Sequence, residues 1–342
     1  MSAPKLSDIA KRAGVSAAAV SIVLNHNETK RVGLAKRQLI LKIAKELGYT
    51  QNVLAKALVE RRTRLLGLMV PLRDPIFFNQ FIAQALSGIQ STLSSRGYNL
   101  LVYSPSGRPG RATRDQILES KFTDGLIFIN TRLCAPREIS QTIHELDEAK
   151  IKFVMINSYY GRELIDYVGV DDFAIGEAAG FHLLARGHKS IAFLSGSQHL
   201  PTNLQLVQGM RRAFSDSGVE LPESRIGYTE YQQPTAFMVL DRWFASKRDR
   251  PTAVFVGDDQ LLNHLYDYVE ARNLKSPSDI AILARGNAGF ISMLRPQPTA
   301  FAIPTFQMGE VAAARLIDSI ENPSHRRTRI LLPFQFMPGQ TT

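Results

Sequence analysis

The sequence has little cysteine: Cys134 is the single one among 342 residues, so no disulfide can form within the chain. Such a chain suits a reducing compartment, and we expect a cytoplasmic protein in which Cys134 is a passive thiol. No apolar run approaches the roughly 20 residues that a transmembrane helix needs. Residues 1–14 also lack the apolar core of a secretory signal peptide. We therefore expect a soluble protein without a membrane partner.

The motifs of enzymes and of metal sites are missing as well. The sequence has no phosphate-binding glycine loop of the Walker type, no HExxH pair and no paired cysteines. Ser195, Ser197 and His199 lie near one another, but no nucleophile elbow surrounds them. We therefore expect no catalytic residues, no bound metal and no cofactor.

Positive charge is concentrated at one end of the chain. Residues 1–64 hold 13 Lys and Arg against 4 Asp and Glu, whereas residues 65–342 hold 28 against 27. A basic module on a near-neutral body is typical of a protein that binds a polyanion such as nucleic acid. A solvated basic face would give the same composition, so the motifs within this segment must decide.

The basic segment begins with the pattern of two short helices. Ser7 can cap a helix over residues 8–13, which Gly14 ends, and Ser16 can cap a second helix from Ala17 to about Leu24. Glycine supplies the backbone freedom that a tight turn between two helices requires. The positions expected to be buried are Ile9, Ala10, Val15, Val20 and Leu24.

A third helix is predicted over residues 35–47, because its apolar side chains repeat at the 3.6-residue period and Gly48 follows. Three short helices joined by such a turn form a helix-turn-helix unit. The second helix of this unit enters the major groove of DNA. The sequence therefore indicates a DNA-binding module at the basic end.

These residues resemble the headpiece of LacI/GalR repressors. The resemblance lies in the runs 5–10, 14–16 and 20–25, and the stretch 46–58 is similar to the hinge helix of that family. It implies a transcription regulator, typically a repressor, that binds a pseudo-palindromic operator in double-stranded DNA as a homodimer. The residues placed at the DNA by this resemblance are Leu6, Ser7, Ser16, Ala17, Ala18, Ser21, Ile22, Asn25, Lys30, Arg31, Asn52, Ala55, Lys56 and Leu58.

Two of these positions have distinctive expected roles. The resemblance makes Leu58 an apolar wedge that unstacks the central base step, although an ordinary amphipathic contact is the alternative. Family members often carry arginine at the position of Ile22, where arginine reads guanine. Isoleucine cannot donate a hydrogen bond, and residues 17–19 are all alanine. We therefore expect little direct base readout and more reliance on phosphate contacts, to which Lys30 and Arg31 add, and on DNA deformation.

From residue 65 onward, short apolar strands alternate with helices, which predicts parallel, doubly wound sheets. The expected strands are 65–70, 99–103, 125–129, 153–156, 191–194, 253–256 and 280–283, with helices at 81–93 and near 113–121. This length of chain requires two α/β subdomains. The order of segments resembles the LacI/GalR core, which is similar to periplasmic sugar-binding proteins. The predicted domains are a headpiece at 1–50, a hinge helix and linker at 51–64, and an effector-binding, dimerising core at 65–342 whose chain crosses between the subdomains several times.

The same resemblance implies a small-molecule effector in a cleft of the core. The residues it places there are Phe77, Phe78, Thr202, Tyr231, Asp258 and Arg285. Plain core packing is an equal alternative for the two phenylalanines, and a solvent-facing side chain is the alternative for Arg285. Leu206 and Gly286 stand where many family members carry an effector-binding arginine and aspartate. The usual pentose, hexose or purine effector is therefore not the expected one, and an atypical effector, or none, is the alternative. A sugar or sugar derivative is one candidate, and an acidic or phosphorylated ligand of Arg285 is another.

A solute-binding protein of periplasmic type is the main alternative function, since the core alone would fit it. The basic headpiece and the missing signal peptide argue against that alternative. The sequence reveals neither the operator, nor the regulated genes, nor whether an effector releases the DNA or promotes its binding.

Overall fold

A computed structural model describes residues 4–25, 32–49, 62–70, 79–103, 122–130, 136–157, 161 and 163–342. The chain divides into two units, residues 1–63 and residues 64–342. The first unit is the headpiece and the second is the core.

The headpiece contains three described helices: α1 (Leu6–Ala13), α2 (Ala17–Asn25) and α3 (Leu34–Glu46). Gly14 adopts the left-handed conformation, with φ of 63°, and ends α1. The Ser16 hydroxyl accepts the Ala19 N–H at 3.2 Å and so caps α2 as expected. The prediction for Ser7 is wrong, because α1 begins at Leu6, two residues earlier than predicted, and Ser7 lies within the helix. The Asp8 carboxylate accepts the Lys5 N–H at 2.8 Å in its place.

A small apolar core joins the three headpiece helices. Its buried members are Ile9, Ala10, Ala13, Val20, Val23, Ile40, Ile43 and Ala44. Val15 and Leu24, which were expected to be buried, pack only partly against this core. Val23 lies nearer its centre, because one turn of α2 carries Val20 and Val23 on the same face.

The described core contains two six-stranded sheets. Their strands are β1 (Leu65–Met69), β2 (Asn99–Tyr103), β3 (Gly125–Ile129), β4 (Phe153–Ile156), β5 (Asp166–Gly169), β6 (Ile191–Ser195), β7 (Ile226–Tyr228), β8 (Ala253–Val256), β9 (Ala281–Asn287), β10 (Thr299–Ile303), β11 (Arg329–Leu331) and β12 (Gln335–Met337). The first sheet has the order β11-β5-β4-β3-β1-β2 and the second has the order β12-β10-β9-β8-β6-β7. Every pairing is parallel except that of β12 with β10.

Helices cover both faces of each sheet, as parallel sheets require. The described core helices are α4 (Gln80–Arg96), α5 (Pro136–Glu148), α6 (Asp172–Ala185), α7 (Pro201–Asp216), α8 (Gln233–Phe244), α9 (Asp259–Ala271), the short α10 (Ala288–Ile291) and α11 (Thr305–Glu321). Helices α4 and α11 pack on one face of the first sheet, and α5 packs on the other. Helices α6 and α7 cover one face of the second sheet, and α8 and α9 cover the other.

Glycines let two helix pairs approach closely. A Cβ atom on Gly309 of α11 would lie 2.0 Å from the carbonyl oxygen of Ala85 in α4. In the second pair, a Cβ atom on Gly209 of α7 would lie 2.1 Å from the carbonyl oxygen of Phe173 in α6. Only a residue without a side chain fits such contacts.

The chain crosses between the sheets three times: from β5 through α6 to β6, from β10 through α11 to β11, and from β11 to β12. The predicted fold of two doubly wound parallel-sheet subdomains is confirmed, with β12 as an antiparallel edge strand. The helix expected near residues 113–121 lies outside the described residues. In sheets of this kind, ligands bind in the crevice outside the carboxyl ends of the strands.

Candidate nucleic-acid interface and effector site

Helix α2 exposes a narrow face of small side chains. Ala17 and Ala18 are exposed in its first turn, beside the capping residue Ser16. Ser21 and Ile22, one turn further on, are half-buried. This face has a shape that suits close approach to a groove, but it carries few hydrogen-bond donors for base edges.

Helix α1 places the other predicted DNA residues at its start. Leu6 packs partly against the headpiece core, and Ser7 is exposed in the first turn. The backbone of Asn25 ends α2. The remaining headpiece and hinge residues of the prediction, and two of the effector residues, lie outside the described residues: Lys30, Arg31, Asn52, Ala55, Lys56, Leu58, Phe77 and Phe78.

Exposed cations surround the headpiece helices. Lys5 and Lys11 lie on or beside α1, and Lys36 and Lys42 lie on α3. Arg12 is partly neutralised by Glu46, at 3.1 Å between Nη2 and Oε2. The lysines of α3 were not among the predicted DNA residues. Only the overall charge of the segment pointed to them, because charge by itself does not tell which lysines face a partner.

In the core, Tyr231 lies just beyond the carboxyl end of β7 with its ring buried over Gly196. The amide of Asn203 donates to the Tyr231 hydroxyl at 3.4 Å and to the Ser197 carbonyl at 2.7 Å. The amide of Gln260 donates to the Tyr231 carbonyl at 3.0 Å. Side chains that follow β6, β7 and β8 are thereby tied together at one edge of the second sheet.

Two carboxyl groups follow β8 at the same edge. Asp258 caps α9 by accepting the Gln260 N–H at 2.9 Å. Both oxygens of Asp259 accept the Asn287 N–H, at 2.9 and 3.1 Å. Burial, together with the neighbouring Asp258 carboxylate, raises the pKa of Asp259 to about 8.

Asp259 gives a physical reason for glycine at position 286. A Cβ atom on Gly286 would lie 1.9 Å from the Asp259 Oδ1. The carboxyl group of Asp259 therefore occupies the space into which a side chain at 286 would project.

Arg285 is not solvent-facing: it is 5% exposed. Its Nη2 lies 2.6 Å from the Asp172 Oδ1, and its Nη1 donates to the Gly257 carbonyl at 3.4 Å. Close by, the Leu206 Cδ1 would lie 3.3 Å from a Cβ atom on Gly257. Thr202, buried on the first turn of α7, completes the described members of the predicted set.

The structure thus brings Tyr231, Asp258 and Arg285 to the carboxyl ends of neighbouring strands, with Thr202 on the adjoining helix. Sequence reasoning missed Asp172 and Asp259 as members of this edge. Each lies three residues after the end of a short strand and starts a helix, and this position could have identified them.

Among the described residues, no helix is long and apolar enough to cross a membrane. Within the same parts of the chain, no group of three or more His, Cys, Asp and Glu side chains is arranged to hold a metal ion.

Family comparisons match both units of the chain. Residues 5–52 match the model described as bacterial regulatory proteins of the lacI family, and residues 181–342 match the periplasmic binding protein-like domain. The chain thus carries a headpiece of the lacI family and a periplasmic binding protein-like domain, and the resemblance inferred from its headpiece and core is confirmed. The protein is a DNA-binding transcription regulator.

Similarity to LacI-family regulators extends along the chain. The HTH-type transcriptional regulator DegA of Bacillus subtilis (strain 168) is 28% identical over 340 residues, which cover 98% of this chain and 97% of DegA. The CelR–cellobiose complex superposes with a TM-score of 0.73 at 25% identity, covering 99% of this chain and 100% of CelR. The lac repressor dimer bound to operator and the anti-inducer ONPF superposes with a TM-score of 0.84, covering 99% of each chain. At its 19% identity, this last similarity shows the fold alone.

Proposed function

We propose that this LacI-family regulator represses transcription by binding a pseudo-palindromic operator as a homodimer. The observation that carries the proposal is the exposed face of α2, which begins at the Ser16 cap and presents Ala17 and Ala18. A capped helix that follows a tight glycine turn within a basic three-helix unit is the reading element of a helix-turn-helix.

Contacts to the operator follow from this face. Ser21 and Ile22 extend it by one turn, and exposed lysines of α1 and α3 supply charge for phosphates. With so few donors on α2, specificity rests on apolar contacts to thymine methyl groups and on DNA shape. Lys30 and Arg31 are assigned to phosphate contacts in this proposal, and the segment from Asn52 to Leu58 is assigned to the minor groove.

The homodimer is proposed by analogy with the lac repressor, which has been solved as a dimer bound to operator. The proposed division is a headpiece at 1–50, a hinge and linker at 51–64, and a core at 65–342 that dimerises. Two headpieces held at one spacing would each meet one half-site. This activity belongs in the cytoplasm, where bacterial DNA is accessible, and it involves no catalytic step and no cofactor.

An effector is proposed to bind at the carboxyl ends of the core strands. CelR has been solved with cellobiose, and by analogy we assign this chain a sugar or sugar derivative. Its contacts would include Thr202, Tyr231, Asp258 and Arg285, and the assignment extends to Phe77 and Phe78. Binding there would shift the two subdomains and couple to the operator by about 1–3 kcal/mol.

Selection from a random duplex library tests the proposed function. Purified full-length protein is incubated with the library at two salt concentrations, and the bound duplexes are sequenced. We expect enrichment of a palindrome of about 14–20 base pairs, since two half-sites lie about one or two helical turns apart. Salt-sensitive retention without an enriched motif would contradict sequence-specific binding. Enrichment of a single, unrepeated half-site would contradict the dimer.

Replacing Ile22 by arginine tests the assignment of α2 to the major groove. The variant Ile22→Arg is expected to shift the selected motif toward guanine at one position of each half-site, because arginine donates to guanine O6 and N7. The matched control Ile22→Val retains an apolar side chain and should keep the wild-type motif. An identical motif for all three proteins would remove α2 from the base-reading role.

A further inference from the structure

The Asp172–Arg285 pair is the most deeply buried ion pair that the structure describes in the core. The two side chains are 1% and 6% exposed, and 2.6 Å separates Oδ1 from Nη2. Arg285 is also the one buried Lys or Arg in the described parts of the chain. A buried charge of this kind is tolerated only when a partner of opposite charge accompanies it.

The pair lies at the carboxyl-end edge of the second sheet, just after the chain crosses over from the first. Asp172 starts α6, three residues after β5 ends in the first sheet. Arg285 lies near the carboxyl end of β9 in the second sheet, and its second contact, Gly257, directly follows β8. The ion pair therefore lies where a ligand enters the crevice in this class of fold.

Apolar side chains lie next to Gly257, the second contact of the guanidinium. Phe193 and Leu206 each have an atom within 3.3 Å of the place where a Cβ atom on Gly257 would stand. The carbonyl oxygen of Gly257 accepts a hydrogen bond from Arg285. The other two ionisable side chains that follow β8, Asp258 and Asp259, carry no positive charge. An incoming anion would therefore need to compete with Asp172 for Arg285, and it would leave one buried carboxylate without a cation.

We propose that Asp172 is a built-in counter-ion for Arg285, so that the effector site accepts an uncharged, hydroxyl-bearing ligand and rejects phosphorylated or carboxylated ones. This inference rests on the effector site proposed above. It replaces the acidic or phosphorylated ligand that the arginine alone suggested. The site then selects its ligand because the charge of Arg285 is already neutralised. Rejection of anionic ligands is as important for this specificity as attraction for an uncharged one.

Removal of the counter-ion tests the proposal with inorganic phosphate as the probe. The full-length variant Asp172→Asn retains the shape of the side chain but leaves Arg285 without its carboxylate. Thermal unfolding is followed by the fluorescence of Trp243, the single tryptophan, in phosphate and in chloride at matched ionic strength. We expect phosphate to raise the melting temperature of Asp172→Asn by about 3 °C or more beyond its effect on wild type, because an anion that binds the native state stabilises it.

Two further variants serve as controls. Asp241→Asn removes the carboxylate that pairs with Arg272. The two groups lie 2.6 Å apart and their side chains are about half exposed. This variant should respond to phosphate as wild type does. The double variant Asp172→Asn with Arg285→Gln lacks both buried charges and should lose the added response. If Asp172→Asn does not fold in chloride, phosphate is expected to restore its native Trp243 emission.

An equal phosphate response in wild type and Asp172→Asn would overturn the proposal, as would a response that persists in the double variant. Failure of phosphate to restore a variant that is unfolded in chloride would overturn it too. The readout involves no DNA. A failed operator selection would therefore contradict the proposed function without affecting the phosphate result. A failed phosphate test would likewise contradict the counter-ion proposal without affecting the proposed function.

Discussion

At the scale of single residues, close packing at the carboxyl-end edge of the second sheet determines which side chains fit there. The carboxyl group of Asp259 lies where a side chain at 286 would project, and the Asn287 N–H holds it there. Position 286 is therefore glycine for a steric reason that no neighbour in the sequence reveals. The same crowding makes both residues sensitive to small substitutions.

Gly286→Ala is expected to destabilise the core by about 1–2 kcal/mol, because the added methyl group displaces the Asp259 carboxyl from the Asn287 N–H. Urea unfolding followed by Trp243 fluorescence measures the loss. In the background of Asp259→Ala, the same substitution should cost much less, since the clashing group is gone. Equal costs in both backgrounds would show that the two side chains do not compete.

The raised pKa of Asp259 predicts a pH dependence of stability. The folded carboxyl holds its proton up to about pH 8, whereas an unfolded aspartate titrates at about 4. The folded state therefore binds more protons between these values, and this contribution to stability is full below about pH 4 and lost as the pH rises through about 8. Asp259→Asn should remove it. We expect the free energy of unfolding of wild type to fall relative to that of Asp259→Asn between pH 5 and pH 8.5. Parallel pH curves for the two proteins would contradict this prediction.

At the scale of elements, glycine determines how closely two helix pairs pack. Gly88 and Gly309 bring α4 against α11, since a Cβ atom on either would lie within 2.0 Å of a backbone oxygen of the other helix. Gly176 and Gly209 do the same for α6 and α7, within 2.2 Å. Backbone cannot move aside as a flexible side chain can, so these positions tolerate no enlargement.

Gly309→Ala is expected to destabilise the core by about 2–3 kcal/mol, although alanine is the better helix former by up to about 1 kcal/mol. Far-UV circular dichroism during urea unfolding measures the effect. Gln90→Ala on the exposed side of α4 serves as the control and should change stability little. If Gly309→Ala were instead more stable than wild type, the added methyl group would not force α4 and α11 apart at a measurable cost in stability.

Local sequence patterns determined most of the elements that position the site. The predicted strands at 99–103, 125–129, 153–156 and 253–256 coincide with β2, β3, β4 and β8. The strands that the pattern missed are short or lie late in the chain: β5, β7, β10, β11 and β12. Strands of three to five residues carry too little periodicity to be distinguished from loops, and β11 and β12 become strands only by pairing with distant segments.

The candidate site was predictable to a smaller extent, because its members meet through tertiary contacts. Tyr231 and Asp258 were predicted from the family resemblance, and both lie at the carboxyl ends of strands in the second sheet. The partner of Arg285 could not be found in this way, since 113 positions separate it from Asp172 along the chain. Burial then changed the interpretation of Arg285 itself, from a cation offered to a ligand to one already neutralised.

At the scale of the whole core, three crossings of the chain connect the two sheets. The crossing through α11 ends in a cluster of charges beside the first sheet. Arg315 of α11 lies 2.8 Å from Asp166 at the start of β5, and His325 lies 2.6 Å from the other oxygen of Asp166. His325 also contacts Asp318 at 2.7 Å, so a carboxylate faces each of its ring nitrogens. This cluster anchors the return of the chain to the first sheet.

If the crossings make the core one cooperative unit, a perturbation of this cluster must be felt in the second sheet. Arg315→Met leaves Asp166 with one cation fewer and should destabilise the core by about 2–3 kcal/mol. Trp243 belongs to the second subdomain, where its indole N–H donates to the Ser224 carbonyl at 2.8 Å. We expect its fluorescence transition to move down by about 5 °C in Arg315→Met, by the same amount as the main transition measured by circular dichroism.

The control for this coupling is Arg272→Met, which removes an exposed pair within the second subdomain itself. Exposed pairs contribute about 0–1 kcal/mol, so the transition of Trp243 should hardly move even though the substitution lies in the same subdomain. A distant substitution would then affect Trp243 more than a nearby one, which only cooperative unfolding through the crossings explains. An unmoved Trp243 transition in Arg315→Met, with an earlier separate phase by circular dichroism, would instead show two subdomains that unfold independently. In that case the crossings would be simple linkers, and an effector in the crevice would have to act through its own contacts with both sheets.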